Sequence, residues 1–260
     1  MPKIYKMIDK TDKFTKEFSN GIPSMPFRVL AVGKTGSGKS SVAIGNLLLR
    51  KDFYRDAFLP ENIFIFTGSR GDPKIRTISK ELDIDKSQII EGYDEEKAKA
   101  IYEMIVDEYN KAIDEGRTPE QFLYVFDDLS YTNFFARTKK NSIIDKIFAN
   151  GRKYLISIIV VAQKYSTINT QIRENISTAI LFSCSNKQLD LIEQDYNYLP
   201  TKKAFYQMFR EHTSNSKHDF IVIDFSQKHQ DDIYRNMDFK KICVCKYKNI
   251  KKMCDGIEKN

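Results

Sequence analysis

The chain has 260 residues, 41% hydrophobic and 30% charged, enough for one large α/β domain or two small ones and too balanced for a disordered or collagen-like chain. Its net charge of +7 suits an acidic partner such as nucleic acid, and equally an ordinary lysine-rich cytosolic enzyme. The longest apolar run, LISIIVVA at 155–162, is far short of a membrane span, and the charged N-terminal stretch has no apolar centre of a secretory leader. Cys184, Cys243, Cys245 and Cys254 match neither a zinc site nor a secreted disulfide framework, so a reducing compartment and no structural metal are expected.

In chain order, residues 1–24 read as a polar N-terminal arm ending in IPSMP. A first strand at 27–32 runs into a glycine-rich loop. A helix begins around Gly38, with Val42, Ala43, Leu47 and Leu48 on one stripe. A second strand at 63–66 ends in the loop TGSRGDP. Asp94 caps a helix whose Ala98, Ile101, Tyr102, Ile105, Tyr109 and Ala112 share a face and which Gly116 ends. A third strand at 122–126 leads into Asp127-Asp128, and a short helix near 142–150 stops at Gly151. Strands at 155–162, 178–182 and 220–223 follow, with a helical stretch near 168–175 between the first two. Continuous apolar strands alternating with helices predict an α/β fold with a parallel sheet covered on both faces. One α/β domain is expected over 25–225, and 226–260 reads as a basic tail, either a nucleic-acid contact or a solvated terminus.

The stretch GKTGSGKS at 33–40 fits G-x-x-x-x-G-K-[ST], placed as that motif requires between a strand and a helix. The strand fixes the loop at the sheet's carboxyl edge, and the glycines let successive N–H groups turn inward as an anion nest. The helix N-terminus adds partial positive charge at the same point. Gly33, Lys34, Thr35, Gly36, Ser37, Gly38, Lys39, Ser40 and Ser41 are therefore the expected nucleotide-binding residues. Within them Lys39 is expected to reach the β- and γ-phosphates, and Ser40 to ligate Mg²⁺. FLYVFDD at 122–128 is an apolar strand ending in acids: Asp127 is the second expected Mg²⁺ position and Asp128 the expected general base. Gln163 ends the next strand, at the same sheet edge, where an amide can hold the attacking water or sense the γ-phosphate. Arg152 and Arg173 lie just before strands, away from their own nucleotide. Each is either an arginine finger for a neighbouring subunit or an ordinary surface arginine. Arg70 is a third, less well placed candidate.

With these parts placed, the chain resembles the viral genome-packaging ATPases of the FtsK–HerA superfamily, in particular the poxvirus-type enzymes of large DNA viruses and virophages. The resemblance covers about residues 25–200 and rests on PFRVLAVGKTGSGKSS, FLYVFDDLS, IFANGRKYLISIIVVAQKYSTI and QIRENIS. It implies a RecA-like (ASCE) three-layer sandwich with a mostly parallel central sheet and an additional strand after the fourth. It also implies a homo-oligomeric ring and ATP-driven translocation of double-stranded DNA, without sequence reading, into a preformed capsid, with viral capsid or portal-vertex proteins as partners. The setting it implies is the cytoplasm of an infected cell or the virion, with no membrane. By position, Arg152 matches the family's basic turn and Arg173 its second arginine. The second acid is often Glu in that superfamily; Asp128 is shorter by one C–C bond, about 1.5 Å.

Four rivals share parts of this pattern. A regulatory GTPase needs N-K-x-D, and in SNKQLD at 185–190 the aspartate comes one position late. A nucleotide kinase does not need Asp128, Gln163 and ring arginines together. A helicase or conjugation-type pump uses the same core chemistry. A nucleotide-binding structural subunit that no longer hydrolyses is separated only by DNA-stimulated phosphate release.

Overall fold

A computed structural model describes residues 13–18, 21–135 and 142–248. Its frame is an eight-stranded sheet in the order β3-β2-β4-β5-β1-β6-β7-β8. The strands are β1 (Arg28–Val32), β2 (Ile63–Thr67), β3 (Ile89–Glu91), β4 (Phe122–Asp127), β5 (Ile156–Ala162), β6 (Thr178–Phe182), β7 (Phe220–Asp224) and β8 (Tyr234–Arg235). β1 to β6 are mutually parallel, so all six present their carboxyl ends at one edge. β7 and β8 are antiparallel, which corrects the expectation of a sixth parallel strand at 220–223. The start of β7, not its end, therefore reaches the nucleotide edge.

The helices are α1 (a π-helical stretch, Ser41–Asn46, continued by Leu47–Leu49), α2 (Pro73–Glu81), α3 (Glu95–Asp114), α4 (Ile143–Asn150), α5 (Thr170–Asn175), α6 (Asn186–Tyr196) and α7 (Lys202–Thr213). Strand side chains alternate between two faces, and here both faces are buried. Val29, Ala31, Leu123, Val125, Ile159 and Val161 pack with Ala43, Ile44, Leu47 and Ile75 of α1 and α2. Leu30, Val32, Tyr124, Phe126, Ile158 and Val160 pack with Ile105, Ile147, Ile172, Ile192 and Phe205 of α3 to α7. The result is the three-layer sandwich expected. Buried aromatic area fixes the register of its centre: Phe66, Tyr124 and Phe126 stack with ring centroids 5.3–6.2 Å apart.

Both chain ends contribute. Lys16 pairs with Met25 in an antiparallel bridge, Gln121 donates to the Phe14 carbonyl at 3.3 Å, and the Tyr54 hydroxyl donates to the Pro23 carbonyl. Residues 226–248, read from the sequence within a basic tail, are not a solvated terminus. Ile233, Tyr234, Phe239, Ile242, Val244 and Tyr247 are buried, and Lys241, Lys246 and Lys248 are ion-paired to Asp232, Glu211 and Asp231. Among the described residues, no helix is long and apolar enough to cross a membrane. The first twelve residues and 249–260 lie outside the described residues.

Candidate active site

β1 carries the glycine-rich loop to the carboxyl edge of the sheet, between the tips of β5 and β6. The Gly33 N–H donates to the Ala162 carbonyl at 3.2 Å, the Ser37 N–H to the Lys34 carbonyl at 3.1 Å, and the Val42 N–H to the Gly38 carbonyl at 2.9 Å. Gly38 has φ +93, a conformation that side chains other than glycine's rarely adopt. Lys34, Thr35, Gly36 and Ser41 are exposed, whereas Gly33, Ser37, Lys39 and Ser40 are buried. The loop is held from outside by His218, in the α7–β7 connection: its Nδ1 lies 3.0 Å from the Ser37 carbonyl. A carbonyl only accepts, so Nδ1 is the donor.

Lys39 is 7% exposed and Asp127, at the tip of β4, only 3%. β5 lies between β1 and β4, and the Ser40 hydroxyl spans it to donate to Asp127 Oδ1 at 2.9 Å. Burial lowers the Lys39 pKa, and the neighbouring Asp128 and Asp127 carboxylates oppose that shift. Burial likewise pushes the Asp127 carboxyl up from 3.8 to about 6, against the Ser40 hydrogen bond, with Asp128 adding to the rise.

Asp128 stands one residue past the strand with φ +51. Gln163, at the tip of β5, donates from Nε2 to Asp128 Oδ1 at 2.7 Å. The turn is closed by Gly68 from the loop after β2. The Gly68 N–H donates to the Asp127 carbonyl at 3.0 Å, and a Cβ there would sit 2.6 Å from the Asp128 carbonyl oxygen. The Tyr131 hydroxyl donates to the Gly68 carbonyl at 2.8 Å. The glycine of TGSRGDP thus serves a close backbone approach that the sequence marks only as a loop. Beside this group, Lys34, Gln163, Cys184 and Gln188 line a cavity of about 250 Å³.

Lys39, Ser40, Asp127, Asp128 and Gln163 therefore converge. The two arginines do not. Arg152 is exposed on the turn Gly151–Tyr154 ahead of β5, at the opposite edge of the sheet. Arg28 starts β1 at that same edge and donates to the Phe148 carbonyl at 2.6 Å; burial lowers its pKa, and the Arg152 charge adds to the shift. Arg173, on α5, is ion-paired with Asp195 of its own chain and lies over the Tyr165 ring, 5.1 Å from its centroid. Arg70 is exposed in the loop after β2. Sequence reasoning missed His218, 181 residues from Ser37, and Gly68; no local signal marks either one.

A phosphate-type loop on β1, an acid pair ending β4 and an amide ending the intervening β5 define a RecA-like P-loop ATPase. The solved structures agree on the fold. The genome packaging NTPase B204 from Sulfolobus turreted icosahedral virus 2, in complex with AMPPCP, superposes with a TM-score of 0.54 at 15% identity, covering 81% of this chain and 96% of that one. The DNA-packaging ATPase B204 from Sulfolobus turreted icosahedral virus gives 0.52 at 16% identity, covering 82% and 97%. EssC (ATPases 2 and 3) from Geobacillus thermodenitrificans gives 0.53 at 15% identity, covering 76% of this chain and 38% of that one. No curated protein sequence matches. The chain belongs to the poxvirus A32 protein family, whose model matches residues 14–252. The family is the poxvirus type that the sequence resemblance pointed to, and the fold is the one it shares with the solved ATPases.

Proposed function

We propose that the chain is the ATP-hydrolysing subunit of a motor that moves double-stranded DNA into a viral capsid, working in the cytoplasm of the infected cell. The observation that carries this reading is the buried Ser40–Asp127 hydrogen bond beside Lys39, with the Gln163–Asp128 bond one residue away. The donor set fits Mg²⁺ with a nucleotide: a hydroxyl and a carboxylate side by side, and in the loop a buried Ser37 hydroxyl with no hydrogen-bond partner among the described residues. Ser40 and Asp127 are the residues that would hold the ion. When bound, Mg²⁺ would neutralise negative charge on the phosphates.

The chain's own residues do the rest. Residues 33–41 cradle the phosphates through backbone N–H groups, and Lys39 places a fixed positive charge inside the loop. Asp128 accepts a proton from the attacking water. Gln163, bonded to Asp128, orients that water and senses the γ-phosphate. Arg152 lies at the sheet edge opposite its own phosphate loop; in a head-to-tail packing of subunits it would serve a neighbour's site, and repetition of that packing would close a ring.

DNA is gripped through its phosphates, and a portal-vertex or capsid protein receives it. Phosphate release should therefore be stimulated by duplex DNA of any sequence. The DNA concentration giving half-stimulation should rise steeply between about 50 and 200 mM salt, because released counterions drive phosphate contacts. Half-stimulation unchanged over that range would contradict phosphate gripping.

A further inference from the structure

The Tyr165–Asp195–Arg173 cluster ties the turn behind Gln163 to α6. The chain leaves β5 through Gln163 and Lys164 into a single 3₁₀ turn, Tyr165–Thr167. β5 carries Gln163 to the sheet edge, and what anchors the short turn after it fixes how its side chain meets Asp128. Tyr165 is fully buried, and its hydroxyl donates to Asp195 Oδ2 at 2.5 Å. The same carboxylate oxygen accepts Arg173 Nη1, and the Arg173 guanidinium covers the Tyr165 ring. A second connection lies one residue on. The Ser166 N–H donates to Gln188 Oε1 at 3.0 Å, and Gln188 Nε2 donates to Ser166 Oγ at 2.9 Å. Gln188 and Asp195 belong to α6, which is held to the core by Leu189, Ile192 and Tyr196. The Tyr196 ring meets the Tyr165 ring edge-on at 5.6 Å.

We infer that Arg173 acts within its own subunit: with Asp195, Tyr165 and Gln188 it forms a latch that positions Gln163 against Asp128. This rests on the reading of Gln163 as the residue that orients water at the γ-phosphate. Arg173 is then a positioning residue and no finger for a neighbour, because a finger must reach out while this guanidinium is committed to Asp195 and to a buried ring. The planar, always-charged fork suits both contacts at once; lysine can keep the ion pair and lose the stack.

Mixing subunits tests the assignment. Subunits carrying Arg173→Ala are combined with subunits carrying Lys39→Ala, whose own sites are dead but whose Arg173 is intact. A latch predicts no gain: the mixture releases phosphate at the summed rate of its parts. A severalfold gain on mixing would mean that the neighbour supplies Arg173, and would overturn the proposal. Asp195→Asn and Gln188→Ala cover the case in which Arg173→Ala fails to fold. Each is expected to lower kcat by about 10- to 100-fold through misplacement of Gln163, with KM within about twofold and the thermal midpoint of nucleotide-bound protein retained. Arg173→Lys should fall between Arg173→Ala and the wild type. Wild-type kcat in both Asp195→Asn and Gln188→Ala would also overturn the latch. Gln163→Ala separates the two claims: wild-type turnover there sinks the role given to Gln163 itself, whereas slow Gln163→Ala beside fast Asp195→Asn and Gln188→Ala sinks the latch alone.

Discussion

Replacing Lys39 with alanine is expected to lower the rate of ATP hydrolysis by about a thousandfold and to weaken nucleotide binding with it. The size follows from where the charge sits. Lys39 is buried in the loop, where water screens little, and it lies close enough to Asp127 and Asp128 for both carboxylates to support its protonated form. A positive charge fixed in a dry site needs no reorganisation as negative charge shifts across the phosphates. Lys39→Arg should recover little, since a branched planar head does not fit a loop shaped around a linear chain. Phosphate release and a nucleotide-binding isotherm check both parts. Turnover within about tenfold of the wild type would remove Lys39 from the role assigned to it.

Asp127→Asn should separate activity from stability. It removes a charge expected to hold Mg²⁺, so hydrolysis should fall by about a hundredfold or more. The nucleotide-free protein should nevertheless become more stable at neutral pH. Burial raises the Asp127 carboxyl from 3.8 to about 6, so the folded state binds its proton more tightly than the unfolded state does. The sign follows from linkage: this group supports the fold most below about pH 4, and that support is lost as pH rises through about 6. Two pKa units correspond to about 3 kcal/mol, an upper figure for what burying the ionised carboxylate costs the nucleotide-free fold at pH 7. Asparagine keeps the shape and the partner for Ser40 without the charge. The stability difference between Asp127→Asn and wild type should thus be small near pH 4 and reach about 1–3 kcal/mol at pH 7. Urea unfolding without nucleotide across that pH range measures it. A variant less stable than wild type at pH 7 would contradict a burial cost on the ionised Asp127 carboxylate.

The parts of the site that sequence displays are those in which local chain geometry and chemistry coincide. The loop at 33–41, the acids ending β4 and the amide ending β5 each follow an apolar strand directly, so strand direction alone carries them to one edge. The latch and the loop support are legible only in three dimensions. His218 reaches Ser37 because β7 is antiparallel, and orientation is not written in FIVID. Gly68 is needed because Asp128 approaches it, yet sixty residues of chain separate them. Arg173 precedes a strand just as Arg152 does, and nothing local shows that Asp195 of α6 captures the one while the other stays at the far edge. The segment 231–248 hides its buried residues among lysines and aspartates whose charges pair on the surface, so composition reads as tail where packing reads as core. α7 is different: Ala204, Phe205, Met208 and Phe209 show a helical stripe in the sequence that a reading centred on strands passes over.

The most direct test of the account is phosphate release by the purified chain with magnesium and ATP, with and without duplex DNA, compared with Asp128→Asn. The account predicts DNA-stimulated turnover in the wild type. In the variant it predicts turnover lower by about a hundredfold or more, with ATP binding retained, since asparagine can still meet Gln163 but accepts no proton. Turnover in Asp128→Asn equal to that of the wild type, or wild-type hydrolysis indifferent to DNA, would contradict it.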